Sequence, residues 1–277
     1  LDNPFVSTDW LAAHLSDPDV VVVDASWHMP NAARNAQAEY LAGHIPGAAF
    51  FDIDGIADTQ TDLPHMLPAP ADFARSVGAL GISQDHAIVV YDELGLFSAP
   101  RAWWTFRLFG ADKVHILEGG GPKWRAERRP VEAGLVRRDK VRFDVQFDPD
   151  AVVDFDTVVS NLRTQQSQVI DARPAPRFHG EVPEPRKGLK PGHIPGSLNV
   201  PSNLLTEHGK LKSSGELQAI FADRGIDLTR PIITSCGSGI TAVTLALALE
   251  QAGAKDVAVY DGSWAEWGAH PNAEIEV

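Results

Sequence analysis

The sequence predicts an α/β protein built as two tandem domains, each a parallel sheet flanked by helices. Three observations predict it. Short β-branched runs alternate with stretches of helical length, the βα pattern of a parallel sheet covered on both faces. The chain has 277 residues, 44% of them apolar, enough for two cored domains. And the halves repeat: His44-Ile45-Pro46-Gly47 recurs as His193-Ile194-Pro195-Gly196, Val22-Val23-Asp24-Ala25 as Val169-Ile170-Asp171-Ala172, and Glu118-Gly119-Gly120 as Asp261-Gly262-Ser263. The offsets between the copies fall between 143 and 149 residues. A period that long marks duplicated domains rather than a solenoid. The expected division is residues 1–130, a linker over 131–148, and residues 149–277.

In the first half, helical patterns cover 8–15, 70–79 and 99–109, and strands cover 20–23, 87–91 and 114–117. The strands are continuous apolar runs of four or five residues, as expected of parallel strands buried on both faces. The segment 99–109 reads as a polar loop opening a helix whose aromatic face packs inward. In the second half, helices are expected over 154–163, 215–223 and 241–251, and strands over 168–170, 231–234 and 257–260. Ligands of such sheets bind outside the carboxyl ends of the strands. Asp24, Asp92, Asp171 and Cys236 all fall just past strand ends, and His44 and His193 open Pro-Gly turns.

Charge narrows the function classes. Lys and Arg total 24 against 37 Asp and Glu, a formal charge of −13. That balance argues against sequence-independent nucleic-acid binding and against docking on an anionic membrane. The basic residues between Arg125 and Arg142 therefore read as a solvated linker. No apolar run approaches the ~20 residues needed to span a bilayer, and no secretory signal pattern opens the sequence. Cys236 is the one cysteine. It excludes an internal disulfide, a resolving thiol and a multi-cysteine zinc site, and suits a reducing, cytoplasmic setting.

The most informative segment is Thr234-Ser235-Cys236-Gly237-Ser238-Gly239-Ile240-Thr241. A strand ends at Ser235 and an Ala/Leu-rich helix begins near Thr241. Two glycines let the backbone curl tightly, so that successive N–H groups can point inward as an anion-binding nest. The helix N-terminus adds partial positive charge. A thiol there is placed to act as thiolate, whereas an inert cysteine needs no such loop. A phosphatase-like site would need arginine six positions after the cysteine, where Ala242 stands. Phosphoryl transfer is therefore disfavoured.

The paired His-Ile-Pro-Gly, the Cys-Gly-Ser-Gly-Ile-Thr loop and Tyr260-Asp261-Gly262-Ser263-Trp264 resemble the rhodanese superfamily, in its two-domain, mercaptopyruvate-using branch. The resemblance runs from about Ser7 to Trp267. It implies an inactive first domain, with Asp92 where the second has Cys236, and a sulfurtransferase in which Cys236 carries sulfur as a persulfide. It implies 3-mercaptopyruvate as donor, and cyanide or a thiol, thioredoxin among them, as acceptor, with no metal or organic cofactor. Thiosulfate-using relatives carry cations in the loop; this loop has none, which favours a monoanionic donor. Carried over, Cys236, Ser238 and His44 would be catalytic, and Arg177, Arg186, Gly237, Gly239, Ile240 and Thr241 would hold substrate. Each has a plainer reading. Ser238 could cap the next helix, His44 could be a turn residue like His193, and the arginines could be surface charges. A thiosulfate:cyanide sulfurtransferase and a persulfide carrier without turnover stay open as alternatives. Trp264 and Trp267 are expected in the core.

Overall fold

The computed structural model describes residues 3–277. They form two compact units. The first takes the chain up to Thr59, Leu67–Asp148 and His208–Lys210; the second takes Gln60–Met66, Pro149–Glu207 and Leu211–Val277.

The first unit runs β1 (Phe5–Val6), α1 (Thr8–His14), β2 (Val20–Asp24), α2 (Ala36–Ala42), β3 (Ala49–Phe50), α3 (Pro70–Ala79), β4 (Ala87–Tyr91), α4 (Ala99–Leu108), β5 (Val114–Leu117) and α5 (Gly120–Ala126). Its sheet has the order β1-β5-β4-β2-β3, with every pair parallel. The second runs β6 (Val152–Val153), α6 (Phe155–Thr164), β7 (Gln168–Asp171), α7 (Ala175–Phe178), β8 (Leu198–Asn199), a short ribbon of β9 (Thr206–Glu207) and β10 (Lys210–Leu211), α8 (Ser214–Ala222), β11 (Ile232–Ser235), α9 (Thr241–Ala252), β12 (Val257–Tyr260) and α10 (Ser263–Trp267). Its parallel sheet has the order β6-β12-β11-β7-β8, the same arrangement strand for strand.

The duplication extends to single hydrogen bonds. Tyr91 lies opposite Asp24 at the ends of β4 and β2, and Ser235 lies opposite Asp171 at the ends of β11 and β7. Past those ends, the Ala25 N–H donates to Tyr91 O at 2.9 Å, and the Ala172 N–H to Ser235 O at 2.8 Å. The central strands are apolar because both faces are covered: Val21, Val23, Ile88, Val89 and Val90 have no exposed surface. Helix α9 is buried from Ala242 through Leu249, as its unbroken Ala/Leu composition requires. It stops at Gly253, whose φ of +110° suits a glycine C-cap. No helix of the described residues is long and apolar enough to cross a membrane.

The segment 131–148 is largely exposed but attached to the first unit at several points. It straps across the first unit. Glu132 and His44 exchange backbone hydrogen bonds, the Val141 N–H donates to Gly78 O, and Phe143 meets the Phe73 ring edge-on at 5.4 Å. Several basic residues in and just before the segment are ion-paired: Arg125 with Glu93, Arg129 with Asp9 and Glu127, and Arg142 with Asp144.

The turn histidines explain each other. The His44 ring stacks on Tyr40 at 4.1 Å, and its Nδ1 lies 2.8 Å from Tyr40 O. The His193 ring stacks on Phe178 at 3.8 Å, and its Nδ1 lies 2.8 Å from Phe178 O. Each forms a backbone bridge with a glutamate late in its unit, His44 with Glu132 and His193 with Glu276. Each ring thus pins a turn to a closing segment.

One repeat position differs in charge. Asp171 is paired with Arg173, but the position matching Arg173 in the first unit is Ser26, whose N–H donates to Asp24 at 2.9 Å. Without a cation, burial pushes the Asp24 carboxyl up to about 6. A raised carboxyl pKa favours folding below the unfolded value and works against it as pH rises through the folded one. Asp24→Asn is therefore expected to stabilise the first unit at pH 7.5, by about 1–3 kcal/mol. The gain over wild type should shrink to about 1 kcal/mol near pH 4.5 and vanish near pH 3, as urea unfolding of both proteins at the three pH values will read.

Candidate active site

The site is built at the end of β11. Cys236 follows Ser235 directly and is 2% exposed. Its loop is closed from below by α10. The Trp264 N–H donates to Cys236 O and the Ala265 N–H to Gly237 O, each at 2.9 Å. The Cys236 N–H donates to Ser263 Oγ at 3.1 Å, and that hydroxyl donates to Tyr260 O at 2.9 Å. Ser263 has φ +50°, a left-handed conformation that disfavours a side chain. Its twin in the first unit is Gly120, with φ +56°. A serine tolerated where the twin has glycine marks a side chain with a task, here seating the backbone of Cys236. Sequence reasoning missed Ser263, and the Gly120–Ser263 mismatch in the repeat was the signal. Beneath it the Tyr260 hydroxyl donates to Glu266 Oε2 at 2.8 Å, and burial raises the pKa of both groups.

Gly239 takes φ +80°, and α9 starts after Ile240 with no side chain capping it. The N–H groups of that first turn are therefore not consumed by a cap, and Ser238, buried at 6% exposure, does not serve as one. The first unit shows what this loop geometry accepts. At the matching strand end, Asp92 Oδ2 accepts from the N–H groups of Phe97, Ser98 and Ala99, and Oδ1 from Leu94, all at 2.8 Å. A carboxylate sits there inside a ring of backbone donors.

The loop lacks cations, and α7 brings one to it. Arg177 lies against Gly237: a Cβ added to that glycine would stand 3.0 Å from Arg177 Nη2. Arg177 is held from behind by Glu184, with Nε 3.2 Å from Oε1 and Nη2 2.5 Å from Oε2. Arg173 takes the other side of the same carboxylate at 2.9 Å, pairs with Asp171 and lies over the Trp264 ring at 4.2 Å. Arg186 Nη2 lies 3.3 Å from His65 Nε2, a residue of the same unit. Trp264 and Trp267 are fully buried with Val158, Ile194, Ile233 and Tyr260, as expected of core residues.

The His44 side chain has no exposed surface, and its second ring nitrogen lies 3.2 Å from Glu132 Oε1. Both ring nitrogens thus have partners within the first unit.

The rhodanese-like domain model matches residues 7–127 and 154–270. A 3-mercaptopyruvate sulfurtransferase of Escherichia coli (strain K12) is 49% identical over 273 residues, covering 98% of this chain and 97% of that protein. A thiosulfate sulfurtransferase of Cricetulus griseus is 46% identical over 275 residues, covering 96% and 92%. The crystal structure of SseA from Escherichia coli, which describes the rhodanese fold of 3-mercaptopyruvate sulfotransferases, aligns with a TM-score of 0.88 at 48% identity, covering 95% of this chain and 99% of that one. With one domain match in each half and the same strand order in both sheets, the chain belongs to the rhodanese family, as a tandem of two rhodanese-like domains.

Proposed function

We propose that this chain transfers sulfur from 3-mercaptopyruvate, through a persulfide on Cys236, to cyanide or a thiol, and releases pyruvate. The observation that carries the reading is Arg177 set against a cysteine loop that has no cation of its own. Such a site offers a guanidinium to one carboxylate beside the thiol, which suits a 2-oxo acid better than a compact dianion.

The Cys236 thiolate attacks the donor's sulfur. A sulfur–sulfur bond forms, the donor's carbon–sulfur bond breaks, and its electron pair leaves as the enolate of pyruvate. A proton then converts the enolate to pyruvate. Arg177 and Arg186 hold the carboxylate and carbonyl oxygens, where the enolate charge develops. Ser238, in the same loop, delivers the proton; its burial and its not capping α9 support that role. The N–H groups from Gly237 to Thr241, Gly239 and Ile240 among them, stabilise first the thiolate and then the persulfide. An acceptor thiolate or cyanide next attacks the outer sulfur and returns Cys236 as thiolate. A small dithiol protein such as thioredoxin fits the acceptor role. A lone functional thiol fits a reducing cytoplasm, where no second cysteine competes for it.

The test is steady-state transfer to cyanide from each donor. Mercaptopyruvate should exceed thiosulfate in kcat/KM by about 100-fold or more, and Cys236→Ser should fall to background with both. Preference for thiosulfate, the donor in the name of the Cricetulus griseus relative, would remove the donor assignment.

Arg177→Ala and Arg186→Ala should each lower kcat/KM for mercaptopyruvate by about 10- to 100-fold, the worth of a charged hydrogen bond. Two unchanged variants would return both residues to the surface.

His44→Asn should lower the melting temperature by several degrees while leaving kcat/KM within about twofold of wild type. A large loss of turnover in a protein of unchanged melting temperature would restore His44 to the chemistry.

A further inference from the structure

We infer that Glu184 is a positioning residue that sets donor choice by aiming Arg177 and by neutralising it in advance. The inference deepens the proposed function and rests on Arg177 meeting the donor. Asp171, Arg173, Glu184 and Arg177 form a chain of alternating charge from the end of β7 to the cysteine loop. The side chains of Asp171, Arg173 and Glu184 are 2%, 1% and 1% exposed, so this chain is shielded from water up to its last member, Arg177, at 18%. Its formal charges cancel.

Two consequences follow from that geometry. The Glu184 carboxylate takes Nε and Nη2 of Arg177 side-on. A guanidinium gripped along that edge cannot turn, and its Nη1 is left for a ligand. Arg177 therefore meets the donor in one orientation, beside Gly237, with its rotamer entropy already spent. The second consequence is electrostatic. Glu184 offsets part of the Arg177 charge, which reduces the attraction for a dianion twice as much as for a monoanion, and a dianion also has the larger desolvation cost. Arg173 cannot take over, since Asp171, Glu184 and Gly192 O already occupy its donors. Glu184 thus makes the site a receptor for a singly charged 2-oxo acid.

The experiment separates this inference from the functional reading by using the thiol itself as reporter. Cys236 of the full-length protein is alkylated with iodoacetate, a monoanion, and with iodoacetamide, its neutral counterpart. In wild type, Arg177 should make iodoacetate the faster reagent. In Glu184→Gln, which removes the carboxylate that offsets Arg177, the iodoacetate-to-iodoacetamide rate ratio should rise severalfold. The iodoacetamide rate and melting temperature should stay near wild type. With donors, KM for mercaptopyruvate should rise about tenfold with a smaller change in kcat, and the thiosulfate-to-mercaptopyruvate ratio of kcat/KM should rise. Arg177→Lys guards against a Glu184 variant that does not fold, because Glu184 then keeps Arg173. It retains the charge but loses the side-on grip, and should likewise raise KM for mercaptopyruvate and shift the alkylation ratio away from wild type. A Glu184→Gln protein with wild-type alkylation ratio and KM, or an Arg177→Lys protein with both intact, would overturn the inference. Failure of wild type to use mercaptopyruvate would sink the functional reading alone, because the alkylation ratio needs no donor.

Discussion

The site depends on a register. Because β11 pairs with β7 so that Ser235 stands beside Asp171, the first residues past both strand ends emerge side by side. One is Cys236, and two residues beyond Asp171 comes Arg173. Everything polar around the thiol is anchored from that edge. Asp171 fixes Arg173, Arg173 fixes Glu184, and Glu184 fixes Arg177 against the cysteine loop. A one-residue slip would turn the side chains of β11 to opposite faces and detach the charges from the thiol. The apolar residues on both faces of the strand prevent that slip, so core packing in the sheet is what holds the chemistry in place.

The two units then show one scaffold put to two uses. At the end of β4, the loop closes on the carboxylate of Asp92, and four N–H groups satisfy it. That unit's nest is filled by its own side chain and has nothing left for a ligand. At the end of β11, the loop carries a thiol and two glycines, and the following helix begins without a side-chain cap. The two loops thus differ in what stands at the strand end, a carboxylate bonded to the loop's own N–H groups in one and a thiol in the other. The same logic separates Asp24 from Asp171. Where the sheet end carries no arginine, burial leaves the carboxyl hard to ionise; where it does, the pair begins the chain of charges that reaches the site.

Much of this was legible in the sequence, for physical reasons that also mark where legibility ends. The long parallel strands announced themselves as apolar runs, and β4, β5 and β12 fall within a residue of expectation. The two-residue edge strands β1, β3, β6 and β8 did not, because two residues carry no periodicity; their existence is decided by the neighbouring strand. The segment 131–148 reads as a linker from its charges, while its attachment to the first unit runs through backbone groups and Phe143, which composition does not reveal. Cys236 and its loop were read directly, because a Gly-rich turn between strand and helix has few other uses. Glu184 was not singled out. A glutamate between two prolines looks like any surface residue until folding turns it toward two arginines.

His44 shows what the duplication adds to a functional reading. Taken alone, a histidine before a Pro-Gly turn is a fair candidate for proton transfer. Taken with His193, it is one of two rings that do the same mechanical work, each stacked on an aromatic residue and tied through Nδ1 to that residue's carbonyl. A feature present in both copies belongs to what the copies share, which is the fold. A feature present in only one, such as Cys236 against Asp92, Arg173 against Ser26 or Ser263 against Gly120, belongs to what distinguishes them. In this chain those differences converge on one strand end. That convergence argues for the thiol loop as the seat of function with no reference to any relative.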